Sequence, residues 1–297
     1  CLYSDMSHVE AATASTLFPK TLAAQSLAAL RVAEVARRIA QENAPDGTRF
    51  DLSASNVDTL DPAISFGTHF SIAVEKEFWE DLFEHQRHPT RLGFVASVMA
   101  AAVPFFGAGY LMPMSDGQVV YSLSARAHHL SQLKTLSTTQ AYQRGLLNER
   151  REPHGQGHER LHLIGFDFDV CSNALLTSLL QTALAAAEEG FCGLNLYDPV
   201  RALRLWSWNI DMDTGRLPAT AALVDGRQIT LPTYIRELTE TLLEMCHGGL
   251  ITDEIAPQAI DLLPIVLDLA DNADRGNVLA LSRHLGWAAK ALHILNL

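Results

Sequence analysis

The run RLHLIGFDFDV at residues 160–170 constrains this chain more than any other stretch. Side chains alternate across a strand, so Arg160 and His162 share one face, as do Asp167 and Asp169. Leu161, Leu163, Ile164, Phe166 and Phe168 between them are apolar enough to read as a strand. Four ionisable groups in such company are costly unless they meet ligands, metals or each other. A cleft lined by this strand suits a nucleotide and its divalent cation, with carboxylates on the hard metal and arginines on the phosphates. The alternative is a strand with one solvated face and ordinary ion pairs, and periodicity leaves both open.

The rest of the chain mixes strands and helices. Residues 2–10 read as one extended segment with Tyr3, Asp5 and Ser7 on one face. Residues 19–42 carry apolar side chains at helical spacing. Strands are expected over 48–58, 65–74 and 119–127, and a short helix over 75–83. Residues 92–114 are apolar enough for a membrane span, but Pro104, Gly107 and Gly109 point instead to a buried helix, a turn and a strand. Residues 173–189 read as a buried helix. DTGR and DGR within 211–226 mark a hairpin. Residues 231–297 are mainly helical, a separate subdomain or a helical layer behind a core formed by 1–230.

Charge narrows the function. Lys and Arg number 22 and Asp and Glu 34, a net charge of -12, which argues against nucleic acid and against an anionic membrane surface. A local arginine cluster can still bind an anion. Cys1, Cys171, Cys192 and Cys246 have no metal-knuckle spacing and read as reduced thiols in the cytoplasm. The segment NERREPH at 148–154 is dense in arginine, the residue of bidentate contacts to phosphate or carboxylate, and equally suits a charged loop. Arg126 sits at a strand end, where a structural ion pair is as plausible. His8, Glu10 and His69 are metal-ligand candidates, although single histidines are more often satisfied by hydrogen bonds. No nucleophile elbow, Walker loop, Rossmann glycine pattern or HExxH occurs.

Taken in order, several segments resemble the Pup ligase and depupylase family of the glutamine synthetase-like carboxylate–amine ligases. LYSDMSHVEAAT at 2–13 resembles LYxDxxHPEYAT, and NVD at 56–58 with SFGTH at 65–69 resembles an asparagine-rich strand and SYGxHENY. LSARA at 123–127 resembles LSQRA. LLNERREPH followed by ERLHLIGFDFD resembles IINTRDEPHA followed by RRLHVIxGDxN. DPVRALRLWS at 198–207 resembles NPVRAxRxIS, and LGWAAK at 285–290 resembles LDWxxK.

The resemblance implies an α+β fold with a glutamine synthetase-like curved, largely antiparallel sheet backed by helices, binding ATP and Mg2+. It implies activation of a terminal glutamate carboxyl of a small protein or peptide and transfer to a lysine, or the reverse hydrolysis or deamidation. It assigns Asp5 as base or nucleophile with Tyr3 beside it. Glu10 and Asp167 become metal ligands, and His69, Arg126, Arg150, Arg160 and His162 line the phosphates or the acidic substrate.

Departures from the pattern thin the carboxylates. The HENY glutamate is Phe70, the HPEY tyrosine Ala11, and the aspartate of TRDEPH is Arg151. In GDxN the glycine is Phe166 and the asparagine Asp169, and a glutamate is replaced near Ser15. The chain opens after the family's GxExE segment, so a second segment or chain is expected to supply it. Arg151 and Asp169 suggest a recast site. A non-catalytic peptide-binding relative, and a nucleotide-independent amide hydrolase using one metal or Cys1, are the competing expectations.

Overall fold

In the computed structural model the described residues are 2–5, 8–58, 61, 63–85, 88–114, 116–140, 143–151 and 158–295, without the side chains of Ser4 and Asp5. Helix α3, Pro89–Phe105, sits at the centre. It is preceded by α1 (Pro19–Glu42) and α2 (Lys76–Glu80). Every residue of α3 from Phe94 to Phe105 is buried. A helix apolar all round has to be enclosed. Past Pro104 the chain turns, with the Gly107 amide donating to the Pro104 carbonyl at 3.2 Å. Gly109 adopts φ 72°, a left-handed conformation suited to glycine, and leads into β4, Tyr110–Pro113. The run long enough for a membrane is thus a buried helix, a turn and a strand, as its proline and glycines predict. No described helix is long and apolar enough to cross a membrane.

A four-stranded sheet lies against α3 and against α4, Asn173–Glu188. Its order is β3 (Thr68–Glu75), β8 (His158–Phe166), β7 (Arg144–Asn148) and β6 (Leu130–Thr135). β3 and β7 both run antiparallel to β8, whereas β6 runs parallel to β7. The sheet is therefore mixed: two of its three pairings are antiparallel, as expected, and the third is parallel.

Alternation gives the sheet two unlike faces. Phe70, Val74, Leu161 and Leu163 are buried in the hydrophobic core. His69, Ser71 and Ala73 point the other way, opposite His162 and Arg160 in the register Ser71↔His162 and Ala73↔Arg160.

Three other expectations change. The one extended segment expected is instead two antiparallel strands, β1 (Leu2–Asp5) and β2 (His8–Ala11), pairing Tyr3 with Glu10 and Asp5 with His8. Residues 48–56 make no strand, because side chains take their backbone groups: Gln41 donates to the Thr48 carbonyl and accepts from the Phe50 amide. The strand expected over 119–127 stops at Ser122 (β5, Val119–Ser122), and Arg126–His129 form a 3₁₀ turn. The Ser124 hydroxyl and the Asp167 carboxylate accept the amides of this turn in place of a partner strand.

The DTGR turn closes on itself, Gly215 amide to Asp211 carbonyl at 2.7 Å. DGR joins β9 (Thr220–Ala222) to β10 (Gln228–Thr230), after helix α5, Pro199–Trp208. Helices α6 (Leu231–His247), α7 (Ala256–Arg275), α8 (Val278–Leu281) and α9 (Gly286–Leu295) follow. α6 packs on α7, and α7 on α4. The Trp287 indole donates to the Phe105 carbonyl, which ties α9 to the end of α3.

Candidate functional site

The open face of the sheet gathers arginines and histidines. His162, 7% exposed, has one ring nitrogen 3.3 Å from His69 Nδ1 and the other 3.5 Å from a terminal nitrogen of Arg160. Burial and then the charges of Arg160 and Arg150 pull the His162 pKa down to about 4. His69 is likewise lowered, by loss of water around its ring and by the Arg126 charge. Both imidazoles are therefore neutral near pH 7. The β1–β2 hairpin borders this face, with the His8 ring 4.9 Å from Phe66. Tyr3 donates its hydroxyl to Glu10 Oε2 at 2.5 Å, and His8 lies 3.2 Å from Oε1. The Tyr3 bond is the main cause of the lowered Glu10 pKa, and the charges of His8 and His69 also lower it.

Beneath the face lie two guanidinium groups, Arg126 and Arg144, only 2% and 6% exposed. Both donate to the carbonyl and hydroxyl of Ser65, and Arg126 also bonds the Ile164 carbonyl. Each keeps a buried Nε with no hydrogen-bond partner among the described residues. Burial and the neighbouring Arg144 lower the Arg126 pKa to about 9, still charged at neutral pH. Gly67 makes the close approach feasible. A Cβ there would fall 2.8 Å from Arg126 Nε and 2.5 Å from the Phe166 carbonyl.

The structure thus brings Glu10, His69, His162, Arg160 and Arg150 together, with Arg126 below. Asp5 lies in β1 opposite His8, and its side chain is outside the described residues. Asp167 differs from its expectation as a metal ligand. It is 4% exposed, and its oxygens accept three backbone amides, Ala108 (2.9 Å), Ala125 (3.0 Å) and Arg126 (2.9 Å). Burial pushes its pKa up against the pull of those amides and of Arg126. In this arrangement Asp167 joins two loops to the end of β8. Asp169 serves structure too, accepting from Cys171 N, the Ser172 hydroxyl and Gly286 N.

Arg151 does not recast the site. It bonds Glu80, Glu84 and Glu159, and lies 5.3 Å over the Trp79 ring. Residues 152–154 of the arginine-rich run lie outside the described residues. Phe70 and Phe166, two departures from the family pattern, touch each other edge-to-face with centroids 5.3 Å apart. They sit on the core side of the sheet, so the positions that resemble HENY and GDxN carry an aromatic pair.

Sequence reasoning missed Arg144 and Ser65. The signal for Arg144 was present: a lone arginine opening the apolar strand RGLLN invites the desolvation argument applied to Arg160. Among the described residues no three His, Cys, Asp or Glu side chains converge for a metal.

The family model described as Pup-ligase protein matches residues 1–296. A Pup–protein ligase of Kocuria rhizophila is 29% identical over 315 residues, covering 97% of this chain and 62% of the relative. A Pup deamidase/depupylase of Mycolicibacterium smegmatis is 27% identical over 303 residues, covering 97% and 55%. The chain thus spans about three fifths of the length of such relatives. Among solved structures, the Pup ligase PafA in complex with ADP superposes with a TM-score of 0.70 at 22% identity, over 99% of this chain and 62% of that one. The complex of Pup with PafA gives 0.64 at 20%, over 93% and 53%. These similarities establish the shared α+β fold.

Proposed function

Because this chain belongs to the Pup-ligase protein family, we propose that it forms the core of an ATP- and Mg2+-dependent carboxylate–amine ligase, or amide hydrolase, acting on a terminal Glu or Gln of a Pup-like protein or peptide. One observation carries the reading: in a chain of net charge -12, four arginines and two neutral histidines collect on and under one sheet face. That set fits a polyphosphate or a terminal carboxylate, since guanidinium groups bind such oxyanions in bidentate fashion. Two buried Nε atoms with no hydrogen-bond partner among the described residues also fit an anion. The finer reading of the sheet as a curved, glutamine synthetase-like cradle goes with this function. Residues 1–230 would hold the chemistry and 231–297 its helical backing, in a cytoplasmic protein.

Magnesium commonly uses one or two carboxylates plus substrate phosphates, so Glu10, oriented by Tyr3 and His8, suffices as a protein ligand. A second segment or chain bearing the GxExE carboxylates would add to it. When bound, ATP and its metal supply the leaving group that activates a carboxyl. The chain's own residues do the rest. Arg150 and Arg160 hold the anionic groups, while Arg126 and Arg144 set a positive potential beneath them that lets two anions approach. Neutral His69 and His162 donate hydrogen bonds without competing for the proton of the incoming amine. Asp5, the residue the family resemblance marks, would accept that proton.

Calorimetry with ATP and Mg2+ tests the reading. Binding is expected to weaken at least about tenfold in Arg160→Gln, and product should form with a peptide ending in Glu or Gln. Absence of nucleotide binding in the parent protein sinks it. The Phe70–Phe166 pair favours a second reading, a relative that binds the peptide without turning it over. Peptide binding without a mass change in the peptide would select it.

A further inference from the structure

Helix α1 turns one side to solvent. Its inner side packs on α4, where Ser26 accepts a hydrogen bond from Asn173 at 2.9 Å. At about 100° per residue, Ala24, Ala28, Val32, Val35, Ala36 and Ile39 fall on one outer stripe about 120° wide. All six are exposed, Val32 to 55%, Val35 to 44% and Ile39 to 56%. Leu27, 42% exposed, lies at the edge of the stripe. Together they present roughly 500 Å2 of apolar surface, toward the upper end of what a single chain leaves to water.

The charges beside the stripe select its partner. Arg31, Glu34, Arg38 and Glu42 follow one another along one edge of the helix with alternating sign. Arg38 reaches its own Glu34 only at 3.9 Å, and Arg31 has no ion pair among the described residues. A partner of one sign would meet like charge at half of these positions. An anionic membrane would meet a chain of net charge -12. The same edge turned end for end is its own complement. With a two-fold axis beside Ala36, Arg31 of each copy stands opposite Glu42 of the other, Arg38 opposite Glu34, and Val32 opposite Ile39. All three pairings meet that axis to within about one residue, roughly 1.5 Å along the helix. The small side chains of Ala28 and Ala36 let the two helices come close.

From this geometry we infer that the outer stripe of α1 is a self-association surface, through which two copies of the chain form an antiparallel helix pair. The stripes and charged edges of two copies bury roughly 1,200 Å2 in total, the lower end for a specific interface, so a dissociation constant of about 10 µM is expected. Leu180 and Leu184 of α4 and Leu163 of the sheet line one small apolar void, so α4 lies on the core side of the sheet, with α1 behind it. Pairing through α1 therefore leaves the open face free, and it does not depend on the activity proposed there.

Sedimentation equilibrium of the full chain between about 1 and about 200 µM tests the inference. The parent should pass from monomer to dimer with a midpoint of about 10 µM. Val35→Glu, which buries a charge against the partner helix, should raise the midpoint at least about tenfold while the helical circular dichroism stays that of the parent. Arg31→Glu and Glu42→Arg each set like charges together and should weaken pairing about tenfold. Combined in one chain they restore opposite charges, and the midpoint should return to within about threefold of the parent. Within one helix these two residues lie about 16 Å apart, so only pairing between copies produces that rescue. A parent that stays monomeric at about 200 µM overturns the inference. So does a double reversal as weak as the single ones, or Val35→Glu pairing like the parent. A monomeric parent that sediments with phosphatidylserine vesicles also overturns it and assigns the stripe to lipid.

Discussion

Replacing Asp167 separates a carboxylate that binds metal from one that holds loops. Its three amide partners lie at 2.9–3.0 Å, and it is 4% exposed. Hydrogen bonds to a charged acceptor contribute about 1.5–3 kcal/mol each, and a buried amide left without an acceptor costs about 1–3 kcal/mol. Asp167→Ala strands all three amides, so roughly 3–6 kcal/mol of stability should vanish, with some water entering the gap. Asp167→Asn keeps one oxygen and turns an NH2 group toward an amide donor, for a loss of about 2–3 kcal/mol. Its missing charge also removes a carboxylate that favours the buried Arg126 cation. Guanidinium denaturation of both variants gives the numbers, with calorimetry of nucleotide at several magnesium concentrations alongside. Suppose Asp167→Asn melts within about 0.5 kcal/mol of the parent yet loses magnesium-dependent binding. Asp167 is then a ligand, and its structural role is refuted.

Three further outcomes are expected. His129 and His162 are buried with pKa near 4, below the ordinary 6.5, so the unfolded chain binds more protons than the folded one between those values. Stability should be full above about pH 6.5 and fall as the pH drops toward 4, by about 2 kcal/mol per histidine at pH 5. Urea midpoints that rise on acidification over that range would contradict it. Phe70→Ala removes one ring of a buried pair and should cost about 3–5 kcal/mol, read from thermal or chemical melts. Arg144→Gln should weaken nucleotide binding more than Arg151→Gln in side-by-side titrations, since Arg151 is committed to Glu80, Glu84 and Glu159.

The sequence by itself determined the periodic elements and much of the site's membership. α1 spans the 19–42 expected, because helical spacing and the proline at its start are local properties. The arginines and histidines of the site were legible because an ionisable side chain in an apolar strand demands an explanation wherever it folds. Tertiary structure decided what each of them does. Asp167 and Asp169 look alike in FDFD, yet one is enclosed by three amides and the other caps Gly286 from 117 residues away. Whether a charge meets a backbone amide, a salt-bridge partner or an open face depends on which loops arrive beside it. So RLHLIGFDFDV, which announced a strand with charges to satisfy, divides in space. Its Arg160 and His162 face outward over the open sheet, and its two aspartates turn inward to hold the frame beneath them.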